Sequence, residues 1–286
     1  VSPSRMMLPQ GCSRIITLGP QGTFSDLAAQ RVLLPSVSCR YVRTFTEALL
    51  EASERQDTVA VVPIENSVAG TVVPVQDALV RWSLRILGEI NVSVRYGLLA
   101  NVVPENAETL FAHPQAFEQT SDFQAHHLPE ARPVFTDSNI DSGVRFLKEV
   151  DQPGFSGAAI VPLSFAEQNP DYLKQSDIQD YLNNTTRFLV VGPGQPEPAF
   201  DFSRTKTSVF IEFSEDRAGL LYELLSVFNR FHINLCRLES RPSKKVPWMY
   251  VFYVDFYNSS ETPSCLDALA ASPFQFRILG SYDSLD

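Results

Sequence analysis

Short apolar runs recur along the first two thirds of the chain, each followed by a stretch whose apolar residues return every three or four positions. Ile15-Ile16-Thr17-Leu18 reads as a buried strand, and Thr23 with Asp26 makes a capping-box start for a helix that ends before Pro35. Val59-Ala60-Val61-Val62 predicts a second strand; a loop through Gly70 follows, and Val72, Val75 and Leu79 carry helical spacing. The third cycle sets Thr109-Leu110-Phe111-Ala112 before a helix that begins near Gln115 and ends by Pro129. Pro133-Val134-Phe135-Thr136 then leads to Ser138, which makes another capping box with Asp141, and Ala158-Ala159-Ile160-Val161 closes the series. Strand followed by helix, repeated in this way, predicts an α/β architecture with largely parallel sheets.

The pattern changes after Gly192. Residues 192–198 read Gly-Pro-Gly-Gln-Pro-Glu-Pro, rich in helix breakers and poor in apolar side chains, so residues 193–204 are expected to be a linker between domains at 14–192 and 205–286. The second domain opens with a strand from Ser208 to Phe213, an amphipathic helix from Leu220 to Phe231 and a strand from Ile233 to Leu238. A loop containing Pro242 and Pro247 precedes a strand from Met249 to Phe256, a helix near Leu266 to Ala271 and a last strand from Phe276 to Leu279. Strand-helix-strand-strand-helix-strand is the ferredoxin-like α+β pattern.

Composition narrows the partners. At 286 residues and 44% hydrophobic content both domains can bury a core, while a net charge of −10 argues against nucleic acid or an anionic membrane. Cys12, Cys39, Cys236 and Cys265 lie far apart without a C-x-x-C pair, so free thiols in a reducing compartment are expected rather than a zinc site or a disulfide framework. His126-His127 reads as a solvated helix end, because adjacent helical side chains point apart. No run is long enough to span a bilayer, and a cytoplasmic location is expected.

Candidate chemistry concentrates where strands end. Thr186-Arg187-Phe188 heads the apolar run Leu189-Val190-Val191 and sets a hydroxyl beside a guanidinium, which is equipment for handling an anion that must lose oxygen. Gly19-Pro20-Gln21-Gly22-Thr23-Phe24-Ser25 and Val61-Val62-Pro63-Ile64-Glu65-Asn66-Ser67 follow or end strands, where open α/β sheets present loops and helix N-termini to ligands. Together with Glu239-Ser240-Arg241-Pro242, these motifs, in this order, resemble the prephenate dehydratase family from about Arg14 to Tyr282.

The resemblance implies a two-lobed catalytic domain similar to periplasmic binding proteins, the chain crossing twice between lobes, followed by an ACT regulatory domain that works as a dimer. It implies prephenate as substrate, phenylpyruvate, CO2 and water as products, no cofactor and no metal, phenylalanine as feedback inhibitor, and a homodimer or homotetramer. Arogenate dehydratase and a catalytically silent amino-acid-binding regulator are the alternatives. Thr186 is the expected donor to the departing hydroxyl, and Arg187 is expected to grip the pyruvyl carboxylate with its planar fork. Phe188 is either core or a wall beside the substrate ring. Ser25, Asn66, Ser67, Gln115 and Ser138 are expected donors to substrate oxygens, with helix capping as the competing role for Asn66, Ser67 and Gln115. Glu65 either orients a neighbour or holds a proton, and Gly70 lets the backbone turn. The implied effector contacts are Gly219, Leu220, Leu221 and Asn234, together with Glu239, Ser240, Arg241 and Pro242, which the resemblance makes a turn after the preceding strand. Three departures stand out: Ala218-Gly219-Leu220 where the family has Pro-Gly-Ala, Ser138-Asn139 where Ser-Thr is common, and Val161-Pro162 where a small residue and Ser are usual.

Overall fold

The computed structural model describes residues 8–285 apart from 195–200, 202, 214, 216 and 246. The first lobe builds β1 (Arg14–Leu18), α1 (Phe24–Val32), β2 (Ser38–Val42), α2 (Phe45–Glu54), β3 (Thr58–Asn66), β4 (Gly70–Thr71), α3 (Val73–Arg81) and β5 (Arg85–Ser93). Thr23 caps α1 by accepting from the Asp26 N–H, as its sequence predicts, and Thr44 caps α2 in the same way; each cap contributes about 1 kcal/mol. The chain then crosses to a second lobe: β6 (Tyr96–Ala100), β7 (Thr109–Ala112), α4 (Pro114–Glu118), α5 (Ser121–His127), β8 (Arg132–Phe135), α6 (Asn139–Glu149), β9 (Gly157–Pro162), α7 (Leu163–Glu167) and β10 (Leu173–Ser176). It returns through residues 177–184 to place β11 (Thr185–Gly192) in the first lobe, between β5 and β3.

Neither sheet is largely parallel, contrary to expectation. Each has a parallel core of three strands, β2-β1-β3 and β9-β7-β8, because those come from strand-helix-strand units. The strands next to the crossings, β5, β6, β10 and β11, add antiparallel to their neighbours. The expected helix from Gln115 to Pro129 is two helices. The break falls at Gln119–Thr120, where the Asp180 carboxylate, arriving from the returning segment, accepts from the Ser121 and Asp122 N–H groups and so starts α5 afresh.

The C-terminal part comprises β12 (Lys206–Phe213), α8 (Leu220–Arg230), β13 (Leu235–Pro242), β14 (Tyr250–Tyr257), α9 (Thr262–Ala270) and β15 (Phe274–Tyr282), its sheet in the order β13-β14-β12-β15. That is the ferredoxin-like arrangement. The Ile233 to Leu238 strand is displaced: β13 runs on to Pro242, so Glu239-Ser240-Arg241-Pro242 pairs with β14 instead of forming a turn. Most of the expected linker, residues 195–200 and 202, lies outside the described residues.

This sheet rests against the first lobe. Phe210, Val251, Tyr253 and Leu279 share one apolar cluster with Ile64, Leu79, Ile86 and Leu189. Gly280 permits the contact, since a Cβ there would lie 2.2 Å from the Ile86 carbonyl oxygen. Beyond β15, β16 (Ser284–Leu285) adds to the first-lobe sheet parallel to β5.

Candidate active site

Between the lobes lies a cleft of about 340 Å³. The first lobe lines it with Ser25, Asn66, Thr186 and Phe188; the second supplies His113, Gln115, Ser138 and Asn139. These are ends of strands β3 and β11 and starts of helices α1, α4 and α6, the positions from which α/β sheets present ligand-binding groups. The lobes meet beside it, where the Phe24 ring packs edge-on against Tyr96 at 5.6 Å between centroids.

The best-determined group in the cleft is the Thr186 hydroxyl. Asn66 Oδ1 accepts from the N–H groups of Val68 and Ala69 at 3.0 and 2.9 Å, which fixes the orientation of the amide. Its Nδ2 therefore points the other way and donates to Thr186 Oγ1 at 2.9 Å and to Asn184 Oδ1 at 2.7 Å. With its oxygen engaged as an acceptor, Thr186 keeps its own proton available to the cleft. Asn184 is in turn held by Gln119 Oε1 at 3.1 Å, which also accepts from the Tyr96 hydroxyl at 3.3 Å. Asn184, Gln119 and Tyr96 are buried and were not anticipated; Asn184 stands two residues before Thr186, where strand alternation would have put it on the same side.

Arg187 is not in the cleft. Strand alternation turns it to the opposite face from Thr186 and Phe188, where each of its three nitrogens is engaged. Nε donates to Glu89 at 2.8 Å, Nη1 to Glu65 at 3.0 Å, and Nη2 to Asp255 at 2.8 Å and Tyr282 at 2.9 Å. Burial opposes its charge, but the surrounding acidic groups outweigh this and hold its pKa well above the ordinary guanidinium value. No fork remains for a substrate carboxylate. Glu65, also away from the cleft, orients Arg187 and accepts from Arg237 Nε at 2.9 Å.

Ser67 is likewise diverted: its hydroxyl accepts from the Thr185 N–H and donates to the Asn183 carbonyl oxygen, tying the returning segment to β3. Gly70 makes the tight turn into β4 at φ +83°. Ser138 caps α6, accepting from the Asp141 N–H, while facing the cleft. Asn139, one of the departures, also faces the cleft; Val161-Pro162 does not line it.

No Lys or Arg lines the cleft among the described residues. Beside the Asp137 carboxylate, the cleft presents the N-terminal turns of α1 and α6 and the side chains of Gln115 and Asn139. His113 is the one residue there able to become a cation, and burial pushes its pKa down while Asp137 pushes it up more weakly. Its Nδ1 accepts from the Gln115 N–H, a role that requires the neutral ring. Because the folded pKa lies below the unfolded value of about 6.5, His113 contributes stability that is present above that pH and lost as pH falls through the folded value. Thermal midpoints measured from pH 7.5 to 5 are expected to fall less steeply in His113→Gln than in the parent.

The C-terminal domain carries a second pocket, of about 350 Å³, lined by Gly219, Leu220, Leu221, Met249, Tyr250 and Phe252 among others. Ser240 is paired directly across from Phe252, which brings the 239–242 motif alongside it, whereas Asn234 lies just before β13, its carbonyl accepting from the Tyr257 N–H. Leu220 is buried in the domain's core, so an alanine there would leave a cavity rather than only reshape the pocket.

Residues 15–196 match the prephenate dehydratase family. This chain belongs to that family. It is 31% identical to the prephenate dehydratase of Methanocaldococcus jannaschii over 271 residues, spanning 93% of this chain and 97% of the relative. The prephenate dehydratase structure from Staphylococcus aureus superposes with a TM-score of 0.80 at 28% identity, covering 94% of this chain and 99% of that one. The Arthrobacter aurescens prephenate dehydratase, solved in complex with L-Phe, gives 0.79 at 30% identity, covering 94% and 89%. Both superpositions extend past the family match, so the relatives share the ferredoxin-like part as well as the two lobes. No helix among the described residues is long and apolar enough to cross a membrane.

Proposed function

We propose that the chain converts prephenate to phenylpyruvate, CO2 and water, and that phenylalanine inhibits it through the C-terminal domain acting as an ACT domain. The observation that carries the catalytic part is the Thr186 hydroxyl, held as an acceptor by Asn66 so that its proton faces the cleft. In the reaction the ring carboxylate leaves as CO2, the electron pair of the broken C–C bond moves into the ring, and the ring hydroxyl departs with its bonding pair as aromaticity forms, becoming water with a proton drawn from solvent. Thr186 donates a hydrogen bond to that oxygen as negative charge develops on it. A cleft without Lys or Arg suits a substrate that must shed a carboxylate, because a tight ion pair would stabilise the ground state. The carboxylate that stays is met by the N-terminal turns of α1 and α6 and by Gln115. Phe188 walls the ring.

For regulation, the pocket beside Gly219 and Leu221 opens among exposed apolar side chains, Tyr222 at 77% and Tyr250 at 51% exposure, suited to cover by a second copy. A homodimer or homotetramer in which phenylalanine sits between copies is the reading this supports, and the four free thiols fit a cytoplasmic setting. Arogenate is favoured by one feature, the Asp137 carboxylate at the cleft, which would pair with an ammonium group.

Purified protein supplied with prephenate or arogenate, with and without phenylalanine, tests all of this. Turnover of prephenate to phenylpyruvate, with a higher kcat/KM than for arogenate and inhibition by added phenylalanine, is expected. A preference for arogenate would reassign the substrate, and absence of turnover on both would leave a binding protein.

A further inference from the structure

We propose that the ion cluster around Arg187 is a positioning unit for Thr186, through which the C-terminal domain sets the rate of the reaction. This rests on the prephenate dehydratase reading above.

The cluster holds three cations, Arg187, Arg237 and Lys206, against three carboxylates, Glu65, Glu89 and Asp255. Arg187, Glu65 and Glu89 belong to the catalytic lobe; Asp255, Arg237 and Lys206 belong to the C-terminal domain, which adds the hydroxyls of Tyr282 and Ser208. Neither side is complete alone. Glu89 and Tyr282 are 0% and 1% exposed and Asp255 is 4% exposed, so these groups are matched only when both parts are in register.

The cluster touches the site through two successive cross-strand pairs. On β11 and β3, Thr186 faces Asn66 and Arg187 faces Glu65. The first pair forms the cleft hydrogen bond, and the second lies in the cluster beneath it. The β11–β3 ladder shifts register between Arg187 and Phe188 while the β11–β5 ladder runs unbroken past Arg187 to Val190, so the backbone fixes β11 on its β5 edge and leaves its β3 edge, where Asn66 sits, in need of a further constraint. Side-chain anchorage of Arg187 supplies that constraint, and two of its four partners come from the other domain. On the far side, Arg237 lies on β13, two residues before Glu239, and holds Glu65, Thr71 and the buried Gln76. A displacement of β13 therefore pulls on Glu65 and, through it, on Arg187 and the strand that carries Thr186. Because a buried carboxylate tolerates no half-made pairing, the cluster favours discrete arrangements over gradual ones.

The test uses the full chain with Asp255→Asn, which keeps size and removes the charge, and Tyr282→Phe as the milder change. Each is assayed well below its own melting temperature. Asp255→Asn is expected to lower kcat about 10- to 100-fold, the cost of misplacing a catalytic group, with KM within about twofold. Half-inhibition by phenylalanine is expected to require at least about fivefold more effector. Tyr282→Phe should shift both in the same direction by less. Leu269→Ala destabilises the same domain from its own core, away from the cluster, and should leave kcat within about twofold.

Unchanged kcat and phenylalanine response in Asp255→Asn and Tyr282→Phe, or an equal loss in Leu269→Ala, would overturn the proposal. Wild-type protein inactive on prephenate would instead defeat the functional reading, and hydrogen exchange then decides the coupling without substrate. Amides of residues 185–188 should exchange about tenfold faster in Asp255→Asn; unchanged protection there overturns it.

Discussion

Replacing Thr186 by alanine is expected to lower kcat about 10²- to 10³-fold, equivalent to about 2.7–4 kcal/mol of lost transition-state stabilisation, while KM for prephenate changes little. The reason is the direction of the Thr186 hydrogen bonds. Asn66 Nδ2 occupies one lone pair of the hydroxyl oxygen as donor, which leaves the hydroxyl proton free to be donated to a bound molecule. Donation gains strength as the departing oxygen becomes negative, which places its benefit in the transition state rather than in binding. Serine at the same position keeps the hydroxyl but loses the γ-methyl that restricts χ1, so partial activity is expected. Steady-state kinetics on the two variants checks this, and an alanine variant with raised KM and near-normal kcat would make Thr186 a binding group only.

The second large effect is expected at Arg187, and it is an effect on the fold. Arg187→Met leaves Asp255 buried beside Tyr282 without its cation and Glu89 with Lys206 alone, a loss of about 3–5 kcal/mol. For a chain of this size that corresponds to a fall in melting temperature on the order of 10 °C. Lysine is no substitute. An ammonium is a single point of charge, whereas the guanidinium reaches three carboxylates and a phenol in four separate hydrogen bonds. Scanning calorimetry should show both variants destabilised. An Arg187→Lys protein with a normal melting temperature and a raised KM would return this residue to the substrate.

That contrast marks how far the site could be read from residues alone. The α/β architecture followed from strand-helix repetition, the two lobes from the family resemblance, and the cleft from motifs at strand ends. Thr23 and Ser138 announced their helices because a side-chain acceptor three residues before an acidic position is a local signal. Arg187 was misplaced although the means to place it was present: if Thr186 and Phe188 face the ligand on one strand, the residue between them faces away. The motif joined neighbours in sequence that the pleat separates in space. Asn184 left only its two-residue spacing from Thr186, and Gln119 and Tyr96 left no trace, since their roles depend on a hydrogen-bond chain that joins the two lobes. Asp255 and Tyr282 were further out of reach, being defined by how one domain sits on another. The residues from Glu239 to Pro242 looked like a turn because the face of β13 that meets the lobe carries Arg237 and Arg241, and a charged buried face breaks the apolar alternation by which strands are recognised.

The position of β11 has a consequence for biosynthesis of the protein. β3 and β5 lie on either side of it, so until Thr185–Gly192 is made both expose unpaired edges, and the entire second lobe is translated in the interval. The second lobe is continuous and can form as the ribosome proceeds; the first lobe must wait for a strand more than ninety residues downstream of β5. Nascent chains stalled before residue 185 would thus present two open strand edges to chaperones, and the strand that finally closes the sheet is the one that brings Thr186.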